Sequence, residues 1–289
     1  MTSRCLLYPL AVPPGASGLL YCPTMPALRF VRTGRCLAAL LVSLLVPRVA
    51  AAQADEIQVY DGGLAAPGTF NLTVHNNVTP KGQTAPAFPG AVVAHHSWNG
   101  VPEWAYGVTR WFEAGLYLPL YTRDRDLGWG LDGFKLRTLF AVPDADERRF
   151  VYGANFEFSY NARRWDSTRF TSEIRPIVGW HFSTVDLIFN PIVDTAYDGF
   201  GRLQFVPAAR VAYKLNETWQ VAAEEYADVG TFADVRRASE QGHQLFFVVD
   251  RTKGPVDIEA GIGVGLTDTS DRLTLKLILS GDLYRRHRQ

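Results

Sequence analysis

Cysteine and methionine are missing from most of this chain. Its three cysteines, Cys5, Cys22 and Cys36, and both methionines all precede Ala50. An exported chain starting beyond them can form no disulfide and has no thiolate for catalysis or metal binding, even in an oxidising compartment. The chain also lacks an apolar run of the about 20 residues that a membrane-spanning helix needs. No Gly-rich phosphate loop, HExxH or GxSxG motif occurs, so we predict no catalytic residue, metal or cofactor.

Residues 1–54 have the features of a leader followed by a secretory signal. Arg29, Arg32 and Arg35 form a positive segment, Cys36 to Val46 is apolar, and small residues suited to cleavage follow at 50–54. Met25 is an alternative true start, because initiation there would give a signal of ordinary length. We therefore predict a leader and signal peptide over 1–54 and one exported domain over 55–289.

Removing the signal changes the charge balance. Five of the 29 basic residues precede Asp55, whereas all 29 acidic residues lie at or beyond it, so the exported chain has a net charge of −5. Nucleic-acid-binding proteins have a basic surface instead. We predict no nucleic-acid partner.

From Phe70 to Tyr284 the chain repeats segments of about ten residues that alternate apolar with polar side chains and end at a turn. In Phe150–Asn161, alternate residues point to opposite faces of a strand. Those on one face are mostly aromatic, and those on the other are mostly polar. A period of two is typical of β-strands, and about ten alternating residues suit a strand that crosses a membrane. Behind a secretory signal, this pattern predicts an all-β fold: a single antiparallel transmembrane β-barrel of about 12 strands in the outer membrane of a Gram-negative bacterium.

Connections between the predicted strands alternate between long and short. Outer-membrane barrels have short periplasmic turns and longer outer loops, so the alternation also predicts the orientation. Aromatic residues near the turns are expected to lie at the two membrane interfaces. We assign Trp111, Phe150, Phe182, Trp219 and Tyr284 to the periplasmic end and Trp104, Tyr121, Tyr160, Trp165 and Tyr226 to the outer end.

Prolines interrupt this pattern inside the predicted strands. A two-residue turn at Ser183-Thr184 pairs Phe182 with Val185, and the same register places Pro176 opposite Pro191. Proline removes a donor from the sheet, so both strands would weaken at one height. A bulge in the wall is one explanation; prolines pointing where no bond is due, or another register, are the others.

The same register gives candidates for the lumen. It makes His181 a neighbour of Asp186 and places Glu173 opposite Asp194, with Arg175 diagonal to both, while a three-residue turn after Leu215 aligns Arg210 with Glu224. The full set of predicted lumen residues is Gly115, Tyr117, Glu157, Glu173, Arg175, His181, Asp186, Asp194, Arg210 and Glu224. Two roles stay open for these residues: pairing charges to stabilise the barrel, or forming a constriction that selects solutes.

Three histidines and one serine are the remaining candidates for chemistry: His75, His95, His96 and Ser97. Their spacing matches no metal-ligand motif, and we expect His95 and His96 in a solvated loop. A lipid-modifying enzyme is one alternative function, and it requires a Ser–His pair with an orienting acid at the barrel rim. A structural barrel with a filled lumen is the other.

The segment from Tyr106 to Tyr121 resembles a known family. It contains the pattern G-x-T-x-x-x-E-x-G-x-x-x-P, with Gly107, Thr109, Glu113, Gly115 and Pro119 in the defining positions. This pattern is similar to that of the MetA-pathway phenol-degradation family of bacterial outer-membrane proteins. The resemblance implies an outer-membrane barrel that passes small apolar or aromatic compounds.

The expected partners follow from the predicted class. They are the outer-membrane lipids, the barrel-assembly machinery and a small-molecule solute. Barrels of this kind commonly end on an aromatic residue that the assembly machinery recognises. Tyr284 fits this role, although five further residues follow it.

Overall fold

A computed structural model describes residues 56–285 of this chain. The predicted leader and signal over 1–54 and the last four residues lie outside the described range, as does the side chain of Tyr284. The predictions of the signal peptide and of a terminal aromatic signal therefore stay predictions.

The described residues form sixteen strand segments and two three-residue 3-10 helices, Ala145–Glu147 and Phe200–Arg202. The strands are β1 (Thr69–Lys81), β2 (Ser97–Gly107), β3 (Phe112–Asp124), β4 (Gly128–Ala141), β5 (Phe150–Asn161), β6 (Phe170–His181), β7 (Val185–Asn190), β8 (Val193–Thr195), β9 (Gln204–Phe205), β10 (Ala208–Lys214), β11 (Trp219–Asp228), β12 (Gly230–Thr231), β13 (Asp234–Val235), β14 (Gly242–Arg251), β15 (Asp257–Gly265) and β16 (Leu273–Arg285). None of the helices in this range is long and apolar enough to cross a membrane.

The sheet is antiparallel and closes on itself, because β1 pairs with β16 and β6 pairs with β7. Twelve strands form the wall: β7 with β8 forms the seventh, β9 with β10 the eighth and β11 with β12 the ninth, while β13 pairs only with β12 in a loop. The predicted twelve-stranded antiparallel barrel is therefore confirmed.

Alternation along each strand separates an outer from an inner face. In β5, Tyr152 and Phe158 are exposed on the outside, whereas Val151, Asn155 and Glu157 are buried inside. The same holds around the wall, where the exposed face is rich in leucine, valine and aromatic residues. An apolar outer belt around a polar interior is the arrangement of a barrel in lipid.

Most of the long connections lie at one end of the barrel and most of the short ones, with the start of β1 and the end of β16, at the other; the eight residues that join β4 to β5 are an exception at the second end. By the rule for outer-membrane barrels, the short-turn end faces the periplasm. Two outer connections are shorter than predicted. β1 continues as far as Lys81 and β2 already begins at Ser97, which shortens the connection between them. Only three residues join β3 to β4. Polar residues such as Asn76 continue the pairing beyond the apolar belt.

Most interface aromatics lie where the sequence places them, and two do not. Trp111, Phe150 and Trp219 are exposed at the short-turn end. Trp104 pairs with Leu72 near the short-turn end of β2, so its assignment to the outer end is wrong; the strand starts earlier than predicted. Tyr226 is also misassigned, because it faces the interior and hydrogen-bonds to Glu224 two residues before it.

The wall is interrupted beside three prolines. β6 pairs with β7 and with β8 in one continuous register, which includes His181 with Asp186 and Glu173 with Asp194. This register places Pro191 opposite Pro176, and the strand is broken between Asn190 and Val193. The neighbouring strand is broken just before Ala208, at Pro207.

Candidate functional site

Residues 56–68, here called the lumen segment, run inside the barrel. They lead to the start of β1 at the short-turn end, and residues 56–66 belong to no strand. Ile57, Val59 and Tyr60 are buried against the interior face of the wall. The lumen therefore contains a segment of the chain itself.

The side chain of Tyr60 is buried among polar and charged groups of the wall. Its hydroxyl lies 2.5 Å from the hydroxyl of Tyr117. The guanidinium carbon of Arg175 lies 4.4 Å from the Tyr60 ring centre, and that of Arg137 lies 5.7 Å from it. Both distances are within the range of cation–π attraction. The wall thus holds a phenol ring between two cations and a hydroxyl group.

Backbone groups of the lumen segment are bound by side chains of the wall. Asn190 accepts a hydrogen bond from the Tyr60 nitrogen at 2.7 Å and donates one to the Tyr60 carbonyl at 2.9 Å. Arg175 donates to the carbonyl of Gln58 at 2.9 Å, and Lys276 donates to that of Ile57 at 3.2 Å. These bonds satisfy backbone groups that have no sheet partner.

Among residues 56–285, three clusters of charge lie beside the lumen segment, and the first surrounds Arg137. Arg137 pairs with Glu103 at 2.7 Å and with Glu113, while Glu103 also contacts His75 at 3.2 Å. Gly115 lies directly beside Arg137: a Cβ at this position would be 2.7 Å from its Nε. Glycine at 115 therefore provides the space that the guanidinium occupies.

The second cluster joins two cations to three carboxylates. Arg210 pairs with Glu224 and Asp250, and Lys276 pairs with Glu224 and, at 2.6 Å, with Glu259. Glu224 and Lys276 are both completely buried. Buried ions are stable when every charge has a partner, and here each carboxylate contacts at least one cation.

The third cluster surrounds Arg175. Its guanidinium binds both carboxylate oxygens of Glu173, at 2.6 and 3.2 Å, which is the bidentate geometry suited to arginine. Lys135 pairs with Glu157 at 3.2 Å, and Asp194 lies opposite Glu173 in the sheet. Carboxylates outnumber cations in this cluster.

A smaller group lies at the short-turn rim. His181 Nδ1 is 2.7 Å from Asp186, which also pairs with Lys214 at 2.9 Å. His181 and Lys214 border an open depression of about 500 Å³. A second cavity, of about 380 Å³, lies beside the lumen segment and is lined by Tyr60, Glu103 and Arg137.

The ten residues predicted for the lumen lie on the interior side of the wall and fall into separate clusters instead of one ring. The pairs His181–Asp186 and Arg210–Glu224 form as the register predicts, and Arg175 joins Glu173. Tyr117 contacts the lumen segment, and Glu157 pairs with Lys135. Their role in selecting solutes stays a prediction.

The lumen segment is not predicted from the sequence, and neither are four residues that bind it or pair beside it: Arg137, Asn190, Lys276 and Glu103. Ile57 and Val59 do alternate with polar neighbours, which was the available signal. The alternation is short and leads into a glycine- and alanine-rich stretch, so it does not identify a strand. The contacts of the four wall residues reach across the barrel, and no local spacing indicates such contacts.

His75, His95, His96 and Ser97 do not form a site together. His75 is buried inside the wall beside Glu103, whereas His95 and His96 stack on each other in the long outer loop with ring centres 4.0 Å apart. The Ser97 hydroxyl has no hydrogen-bond partner among residues 56–285. No group of three or more acidic, histidine or cysteine residues within that range is placed to hold a metal.

No family model matches the sequence, and no curated protein matches it. Solved structures do match the fold. The COG4313 outer membrane channel from Pseudomonas putida F1 is similar with a TM-score of 0.52 and 10% identity, over 79% of this chain and 100% of that chain. The NanC porin gives a TM-score of 0.47 at 10% identity, over 73% of this chain and 97% of that chain.

The closed sheet, its apolar outer belt and the first of these similarities define the class of the protein. It has the fold of a bacterial outer-membrane β-barrel.

Proposed function

We propose that this barrel is a passive channel for small molecules and that the pocket around Tyr60 accepts an aromatic solute. The observation that carries the proposal is the position of the Tyr60 phenol between Arg175, Arg137 and the hydroxyl of Tyr117. The wall supplies all three groups, so they stay in place if the phenol of Tyr60 leaves. A free aromatic molecule could then make the same contacts.

Two further features support a solute channel. The 380 Å³ cavity beside Tyr60 has the size of a small-molecule site and is open at the short-turn end. The resemblance of Gly107–Pro119 to the MetA-pathway phenol-degradation family agrees with an aromatic solute. The charge clusters then narrow the path and select by size and charge.

Planar-bilayer recording on the refolded chain 55–289 tests the channel. Steady single-channel current in KCl is the expected result, and correctly folded barrels without current would refute the channel. Folding is checked by the heat-dependent gel migration of barrels.

Phenol and cyclohexanol then form a matched pair for the pocket, because they share size and a hydroxyl group but only phenol has a π face. We expect phenol to reduce the current at a concentration at least roughly threefold lower than cyclohexanol needs, since each cation–π contact contributes about 0.5–2 kcal/mol. Equal potency would argue against an aromatic pocket.

A structural barrel with a filled lumen is the second candidate function. The buried lumen segment favours it, because residues 57–60 occupy the interior. The same recordings distinguish it from a channel, since a permanently filled barrel conducts no steady current in any variant.

A further inference from the structure

Aromatic side chains form a cluster on the outer surface of the barrel, at the long-loop end of β2, β3 and β4. Arg123 pairs with Trp98 on one side and with Trp129 on the other. Residues that pair directly in a sheet point to the same face, so these three side chains stand together. Trp98 and Trp129 are 40% and 58% exposed, and Arg123 is also exposed. The cluster therefore places an arginine beside two indole rings at the outer edge of the apolar belt.

Hydrogen bonds and ring contacts hold the aromatic side chains of this cluster in place. The Asn76 Oδ1 atom accepts one hydrogen bond from the Trp98 ring nitrogen at 3.2 Å and another from the Tyr121 hydroxyl at 3.0 Å. The ring centre of Trp129 lies 5.4 Å from that of Trp98 and 6.1 Å from that of Tyr121. Gly100 provides the space for Tyr121, because a Cβ at position 100 would collide with the Tyr121 hydroxyl. Trp98, Tyr121 and Trp129 thus form one fixed surface, here called the aromatic platform.

Arg123 has no acidic partner in the described part of the chain. It takes part in none of the ion pairs there, unlike Arg110, which pairs with Asp144 at the short-turn end. Asp124 follows Arg123 in β3, but it is buried on the inner face and accepts hydrogen bonds from three backbone nitrogens. The positive charge of Arg123 is therefore available to an anion in the membrane interface.

A second exposed arginine lies on the same side of the wall. Tyr160 of β5 pairs with Phe170 of β6, and their ring centres are 5.4 Å apart. Arg169 donates a hydrogen bond to the Tyr160 hydroxyl at 2.7 Å, and its guanidinium carbon lies 5.5 Å from the centre of that ring. Like Arg123, it takes part in no ion pair of the described residues. Strands β2 to β6 are neighbours in the sheet, so one stretch of the wall presents both arginines.

The surroundings of Arg123 indicate which kind of anion fits. Leu131 lies two residues after Trp129 on the same face, is 67% exposed, and continues into the apolar belt. A lipid has both an anionic headgroup for the arginine and an apolar part for the rings and the belt, whereas a free phosphate ion has only the charge. The long-loop end lies in the outer leaflet, which in Gram-negative bacteria consists mainly of lipopolysaccharide. Its membrane anchor, lipid A, carries phosphate groups on an acylated disaccharide.

We infer that Arg123 and the aromatic platform form a binding site for a phosphate group of lipid A, and that Arg169 supplies a second cation on the same stretch of wall. Arginine suits this role, because its guanidinium binds phosphate through two parallel hydrogen bonds. The rings of the platform contact the sugar and the upper part of the acyl chains. The inference does not depend on the channel function, because the site lies outside the lumen.

Native mass spectrometry of the refolded chain 55–289 in detergent, titrated with lipid A, tests this inference. Arg123→Gln should weaken the binding of lipid A roughly fivefold or more, because a neutral amide replaces a charge-assisted contact to phosphate. Arg123→Gln combined with Arg169→Gln should weaken it further. Arg149→Gln is the matched control and should leave the affinity unchanged. Arg149 is also exposed and lies 5.8 Å from the ring centre of Phe182, but at the short-turn end.

The lipid itself provides the second comparison. Lipid A without its phosphate groups should bind the unchanged protein as weakly as intact lipid A binds the Arg123→Gln variant. Binding that does not depend on these phosphates, or equal losses in Arg123→Gln and Arg149→Gln, would overturn the inference. Phosphatidylglycerol that binds through Arg123 as tightly as lipid A would also overturn it, because the site would then be one for phospholipids. All three replaced arginines are exposed, and heat-dependent gel migration checks that each variant folds.

Discussion

Asn190 binds both the nitrogen and the carbonyl of Tyr60, at 2.7 and 2.9 Å. The two bonds resemble one rung of a sheet, with an amide side chain in place of a strand. Asn190 is also the last residue of β7, directly before the break at Pro191. The lumen segment is thus attached where the wall loses its own regular pairing.

Replacing Asn190 with alanine should loosen the lumen segment. The change leaves two buried backbone groups of Tyr60 without partners, which costs about 1–3 kcal/mol. Amides of residues 57–60 should therefore exchange with deuterium at least fivefold faster, as measured by mass spectrometry. Asn155→Ala is the matched control, because Asn155 is equally buried but bonds to Glu157. Equal exchange in both variants would contradict the role of Asn190.

Replacing Arg210 with methionine should destabilise the barrel strongly. Asp250 would then lose the cation that it pairs with, while Glu224 and Glu259 would keep Lys276, and removing one partner of a buried ion pair costs about 3–5 kcal/mol. The measurement is the urea midpoint of unfolding from lipid vesicles.

Arg110→Met is the control for this change. Arg110 pairs with Asp144 at the surface, where both side chains are about half exposed or more, so its loss should cost under about 1 kcal/mol. Similar losses for the two arginines would show that the interior cluster is not energetically important.

A charge on the outer belt tests which face meets lipid. Leu136 is exposed in the middle of β4 between Leu116 and Phe158. Leu136→Arg should lower folding stability in vesicles by about 2–4 kcal/mol, because the midplane of a bilayer disfavours charge. Leu131→Arg, at the outer end of the same strand, should cost about 0–1 kcal/mol. An equal effect at both positions would contradict the predicted depth of the belt.

The sequence predicts the wall of this barrel better than its contents. Side chains that alternate along one strand, together with the two-residue turn at Ser183-Thr184, are enough to pair His181 with Asp186 five residues away. Tyr60 is different, because its partners Tyr117 and Arg175 come from β3 and β6, and only the closed barrel brings them together. For Tyr226, local spacing alone was sufficient. Its aromatic ring suggested the membrane interface, but a residue two positions after the predicted lumen residue Glu224 lies on the same inner face of the strand.

The long outer loop, residues 82–96, should pack less tightly as the pH rises, because the side chain of Asp271 that binds it ionises. Asp271 lies just before β16 and accepts a hydrogen bond from the Gln83 nitrogen at 2.8 Å. Burial raises the pKa of Asp271, and the bond from Gln83 and the nearby His95 offset this only in part. The packed loop therefore favours the protonated acid, and its stability falls as the pH rises through this raised pKa.

Limited proteolysis of residues 82–96 checks this, with rates corrected by cleavage of the unfolded chain at each pH. Cleavage should become faster above the ordinary aspartate pKa of about 4. Asp271→Asn should remove most of this dependence, because asparagine still accepts the Gln83 bond but does not ionise. Asp268→Asn, at an exposed neighbour, should keep it. Both variants remove one acid from the connection between β15 and β16. A pH dependence that persists in Asp271→Asn would therefore assign the effect to another group.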